Sequence, residues 1–113
     1  MLAIQNITIV PVSGSSIDHA TLIIEKGKIK NFGNDVDVSG CDKVIEGAGK
    51  ILTPGWIDAH THLGIDEEGY GWEGADFNET SEAMTPHLRA IDGVNPNDRG
   101  FHDAVQAGIT TAQ

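Results

Sequence analysis

The eight residues from Trp56 to Leu63 restrict the fold more than any other stretch. In extended backbone, successive side chains point to opposite faces. Trp56, Asp58, His60 and His62 then share one face, while Ile57, Ala59, Thr61 and Leu63 share the other. One face is polar and the opposite one mostly apolar. A strand covered by helices on its apolar side presents its polar side to a barrel interior, so the pattern predicts a strand over 56–63 in an α/β layer.

Upstream, residues 2–53 read as short strands joined by turns. Leu2 to Val12 is rich in Ile and Val, and Pro11 ends its pairing or places it at an edge. Ser13 to Ser16 is a loop. Ala20 to Glu25 is a second strand with Leu22 and Ile24 on one face, and Lys26-Gly27 turns it into a returning strand from Lys28 to Phe32. Lys43 to Glu46 is a further strand, followed by a Gly47-Ala48-Gly49 turn. These features predict a small antiparallel β unit.

Downstream, residues 64–97 have no clear periodicity, apart from a helical turn expected over Thr85–Ile91. A connection this long is usually functional or disordered. Residues 97–107 have helical spacing, with Asn97 or Asp98 as cap, Phe101, Ala104, Val105 and Gly108 on one stripe, and Gly108 as the stop. Ile109 to Ala112 is β-prone. Strand, loop, helix and strand make one βαβ unit.

The net charge is −10, from 7 basic and 17 acidic residues, which disfavours a phosphate backbone as partner. Between Asp66 and Glu82 lie seven acids and no Lys or Arg. That stretch is either a solvated loop or the wall of a polar site, and its acids lack the spacing of a calcium loop. Cys41 stands alone, so no internal disulfide forms and a reducing compartment is expected. The start of the chain lacks the basic and apolar regions of a signal peptide, and no stretch reaches the ~18 apolar residues of a membrane helix. A cytoplasmic protein without membrane or nucleic-acid partners is expected.

The chemistry centres on His60-Thr61-His62. Two imidazoles on one strand, two residues apart, point the same way and reach a common cation at ~2.0–2.1 Å. Such a cation lowers the pKa of a coordinated water toward ~7 and polarises a carbonyl. Alone, His-x-His is a weak signal, and two histidines without metal are its bland reading. The order His-x-His-x-Asp-His is absent, which sets aside a metallo-β-lactamase-type site.

The longer run is Leu52-Thr53-Pro54-Gly55-Trp56-Ile57-Asp58-Ala59-His60-Thr61-His62-Leu63-Gly64. It resembles the opening signature of the amidohydrolase superfamily: Pro-Gly, an apolar residue, Ile-Asp, then His-x-His. The Lys26 to Ile29 hairpin is similar to one in the β-sandwich that flanks the barrel in that family. Thr85-Pro86-His87-Leu88-Arg89-Ala90-Ile91-Asp92, then Asn95-Pro96 and Ala107-Gly108-Ile109-Thr110-Thr111, resemble the imidazolonepropionase-related branch.

The resemblance implies an α/β fold: a small N-terminal antiparallel β-sandwich part over 1–53, then the first βαβ unit of an incomplete (β/α)8 barrel over 54–113. It implies a hydrolase of carbon–nitrogen bonds in amides or cyclic amidines. His60 and His62 are the metal ligands, and Asp58 supports them or caps the strand end. The metal is zinc first, with iron, manganese or nickel as alternatives. His87 and Arg89 contact a small-molecule substrate or tie the loop to the barrel. Trp56 packs the barrel floor, His102 is solvent-exposed, His19 has no visible partner and Cys41 is inert.

A whole barrel takes ~250 residues. The family's Lys or Glu, two further His and an Asp have no counterpart here, so the isolated chain is expected to be inactive. It awaits a C-terminal portion, associates with copies of itself, or is a non-catalytic remnant.

Overall fold

The computed structural model describes residues 1–113. The regular structure is mostly β-strand, with few helices, and the chain divides into two compact units, Met1–Pro54 and Gly55–Gln113.

The first unit is a sheet built on β1 (Leu2–Ile9), β2 (Ile17–Glu25), β3 (Lys28–Gly33), β4 (Lys43–Glu46) and β5 (Ile51–Leu52). β2 and β3 form the expected hairpin, turning at Lys26 and Gly27, with φ of 50° and 75°. Strand order is β3-β2-β1-β4, with β5 pairing farther along β1.

The expectation of an all-antiparallel unit is corrected, because β1 runs parallel to both β4 and β5. Only a short loop forces strands antiparallel. The link over 34–42 is long enough to cross to the free edge of β1 and return in the same direction. Nor does Gly47-Ala48-Gly49 reverse the chain. It kinks one β line, with Lys50 N–H donating to Gly47 C=O at 2.8 Å. Gly47 is buried there against Ile7, where a Cβ has no room.

Alternation along β1 and β2 builds the core. Ile4 pairs with Leu22, Ile7 with Ala20 and Ile9 with Ile17. Ile7, Ile9, Ala20 and Leu22 are buried, with Ile4, Ile17, Ile24 and Leu52 packed against them. Each large aliphatic side chain so buried contributes ~1.5–3 kcal/mol. β1 stops at Ile9, short of the expected Val12, because Pro11 has no N–H to pair. The β1–β2 ladder shifts register twice, and two non-glycine residues there, Asn6 and His19, hold left-handed φ of 60° and 52°. His19 does find a partner: its Nδ1 lies 3.3 Å from Asn6 Oδ1.

The second unit has two parallel strands, β6 (Trp56–Asp58) and β7 (Ile109–Ala112), with α1 (Ala90–Gly93) and α2 (Arg99–Gln106) between them. β6 ends at Asp58, five residues before the expected Leu63. The Asp58 carboxylate accepts the His60 N–H at 3.2 Å, and Thr61 Oγ1 accepts the Leu63 N–H at 3.2 Å. Two successive side-chain turns of this kind compete with a strand ladder and bend the chain.

α2 forms where helical spacing requires it. Asp98 is its cap, accepting the Gly100 N–H, and Gly108 at φ 90° follows its end. Phe101 and Ala104 are half-buried, but Val105 is 69% exposed, so the expected stripe is narrower than its sequence spacing. The helical turn expected over Thr85–Ile91 is a tight turn closed by Leu88 N–H to Thr85 C=O, and α1 begins only at Ala90.

Candidate functional site

Asp58, His60 and His62 lie at and just beyond the C-terminal end of β6. The bend at Asp58 replaces the flat alternation expected from sequence, yet the two imidazoles remain side by side. Their ring centres are 5.4 Å apart and the planes tilt by 46°. A Zn–N bond of ~2.0–2.1 Å plus ~1 Å to the ring centre puts two imidazoles on one tetrahedral cation about 5 Å apart. The spacing of the pair is compatible with a shared divalent cation. The chain holds no group of three or more His, Cys, Asp or Glu side chains arranged around one cation.

Asp58 is engaged with the backbone. Its carboxylate accepts the His60 N–H, and its C=O accepts the Gln113 N–H at 3.0 Å. It thereby fixes where His60 leaves the strand and ties that point to the end of β7. Trp56, read from sequence as packing, is 63% exposed, and Cys41 is half-buried. His102 is exposed on α2, next to Asp103 and Gln106.

The segment after His62 is folded. His62 C=O accepts the N–H groups of Ile65 and Asp66, turning the chain at once. A short antiparallel contact follows: Asp66 bridges Ala75, Glu67 N–H donates to Gly74 C=O, and Asp76 N–H donates to Ile65 C=O at 2.7 Å. A Cβ on Gly74 would lie 2.8 Å from Tyr70 Cβ, so only glycine lets the two sides approach. This contact delivers Phe77 to His62, where the rings stack with centres 5.1 Å apart and planes within 17°.

Asp98 holds the same segment from the other side. Its side chain is buried and accepts three backbone N–H groups, from Gly64 at 2.9 Å, Glu68 at 2.9 Å and Gly100 at 3.1 Å. The donors at Glu68, then Gly100 and Gly64, hold its carboxyl below the usual carboxylate range. Gly64, at φ 79°, leaves no room for a side chain, since a Cβ would meet Phe101 and Val94 at 2.9 Å.

The substrate candidates sit elsewhere. Arg89 forms a two-pronged pair with Asp92 at 2.8 and 3.0 Å, which raises its pKa further. It lines an open cavity of about 450 Å³ with Ile65, Phe77, Glu79 and Leu88. His87 is exposed and outside that lining. Neither residue joins the histidine pair in a single cluster. Sequence reasoning missed Phe77 and saw in Asp98 only a helix cap. Asn95-Pro96-Asn97-Asp98 before a helix signals the cap, but nothing local signals its two distant donors.

No family model matches the chain. Over 45 residues, 40% of this chain and 10% of the relative, it is 49% identical to the 5'-deoxyadenosine deaminase of Methanobrevibacter smithii. Over 93 residues, 80% of this chain and 21% of the relative, it is 37% identical to the imidazolonepropionase of Idiomarina loihiensis. An amidohydrolase structure from Thermotoga maritima superposes on 99% of this chain with a TM-score of 0.84 at 31% identity, using 29% of that protein's chain. The chain thus spans about a tenth to a fifth of the length of these curated relatives. By sequence and by fold, it belongs to the amidohydrolase superfamily.

Proposed function

We propose that this chain carries the first metal ligands of a metal-dependent hydrolase of carbon–nitrogen bonds in amides or cyclic amidines, of the imidazolonepropionase-related branch. One observation supports the reading: the His60 and His62 rings stand side by side at the end of β6 with centres 5.4 Å apart, a spacing compatible with one shared cation. The parallel β6–β7 pair with α2 between them supports a reading of 54–113 as the opening of a (β/α)8 barrel, in which active sites gather at the C-terminal ends of strands. Residues 1–53 are then the N-terminal part of the accompanying β-sandwich.

In this reading His60 and His62 hold the cation, Asp58 fixes the chain between them and the strand, and Arg89 and His87 contact substrate or hold the loop to the barrel. Zinc is the first choice, with iron, manganese or nickel as alternatives. Bound there, a divalent cation supplies a nucleophile at neutral pH and a Lewis acid for the scissile group. A catalytic zinc normally takes three protein ligands. His60 and His62 supply two of these, so a complete site needs at least one further ligand. The substrate is a small molecule, and the setting is cytoplasmic, without nucleic-acid or membrane partners.

Metal analysis tests this reading. His60→Ala combined with His62→Ala should abolish bound zinc in the chain and in any longer protein that contains it. Undiminished metal content in the double variant would overturn the proposal.

A further inference from the structure

We infer that Phe77 is a positioning residue for His62, held against it by the folded segment between them. The inference rests on His60 and His62 being metal ligands. An imidazole on an exposed turn has a free χ2 rotation, and ordering it costs binding free energy. His60 has no ring partner but His62, whereas His62 also has Phe77 stacked at 5.1 Å and 17°. Backbone sets this stack. Ile65 C=O holds Asp76 N–H, and the Asp66–Ala75 bridge sits one step inside. Phe77 therefore arrives at a fixed place, one residue beyond the hydrogen bond between Asp76 and Ile65. Asp98 locks the base of the same loop through Gly64 and Glu68. Ligand-orienting partners of this sort are usually carboxylates or carbonyls that hold a ring nitrogen. Here an aromatic face does the orienting and leaves both ring nitrogens free.

The stack is measurable without metal. In the metal-free 113-residue chain, proton NMR should give a nuclear Overhauser contact between the His62 and Phe77 rings. The His62 ring protons should be shifted upfield by the Phe77 ring current. Phe77→Leu keeps the apolar bulk and removes the ring. It should move the His62 ring protons downfield, change the His60 ring protons less, and leave the α2 amide spectrum in place. Cobalt(II) titration of the same variant, followed by its visible absorption, should show affinity weakened by about tenfold, the low end of what losing a ligand's orienting partner costs. Phe77→Tyr should restore both readouts. Absence of the ring-to-ring contact in the unsubstituted chain would overturn the inference, as would unchanged cobalt affinity in Phe77→Leu or a failed rescue by Tyr. Cobalt binding that survives His60→Ala with His62→Ala instead removes the metal reading, while the metal-free contact still reports on the stack.

Discussion

The two units of the chain are held together by different means. Met1–Pro54 rests on long strands whose apolar side chains meet in register, with Ile7 at 2% exposure and Ala20 at 0%. Gly55–Gln113 has strands of three and four residues and no large side chain in a comparable core. Its fixed points are polar or aromatic: one buried carboxylate with three backbone donors, one ring stack and two glycines that no side chain can replace. The first unit spends its residues on a sheet. The second uses few residues on regular structure and many on shaping the turn that carries His60 and His62. Chains commonly separate scaffold from functional loop in this way.

The largest effect that sharpens this contrast is expected in the sheet. Ile7→Ala removes a buried side chain at the centre of the first unit and should lower its stability by about 2–5 kcal/mol. Urea unfolding followed by amide exchange in β1 and β2 reads it, and a cost under about 1 kcal/mol would break the contrast.

Next comes Asp98. Its carboxyl is depressed in the fold, so the stability it contributes is present above the ordinary carboxylate value of ~3.9 and is lost as pH falls through the lower folded value. Acid below about pH 4 should therefore loosen the Gly64 and Glu68 amides first. Asp98→Asn should lower the melting temperature by about 5 °C at neutral pH and flatten that acid dependence. Exchange at Gly64 and Glu68 in Asp98→Asn that keeps the wild type's protection at neutral pH and its rise in acid would contradict it.

The smallest effect is at His19. Its left-handed φ of 52° costs a non-glycine residue ~1–2 kcal/mol, partly offset by the flexibility glycine brings to the unfolded chain. His19→Gly should raise stability by about 0.5 kcal/mol in the same urea experiment, and a loss would show that its contact with Asn6 outweighs the strain.

What could be read in advance follows the same division. The β2–β3 hairpin, the α2 helix and β7 announce themselves through local alternation, helical spacing and turn residues. The parallel placement of β4 beside β1 does not, because a four-residue strand carries no mark of its partner. At the site, the histidine pair was legible and its backbone was not. Asp58 on the polar face of a strand and Asp58 as a turn acceptor leave the same residue pattern, and the hydrogen bond to His60 N–H decides between them. The Asp98 clamp joins residues 34 and 30 positions away, and the Phe77 stack depends on a loop that closes on itself. Contacts of that reach have no periodic signature.

The most direct measurement of the central claim is X-ray absorption at the zinc edge of the zinc-loaded chain. Two imidazole nitrogens on one ion give a shell at about 2.0–2.1 Å with the outer-ring scattering of two histidines, reduced to one by His60→Ala. A zinc shell without histidine scattering, or one that His60→Ala leaves unchanged, would contradict the account.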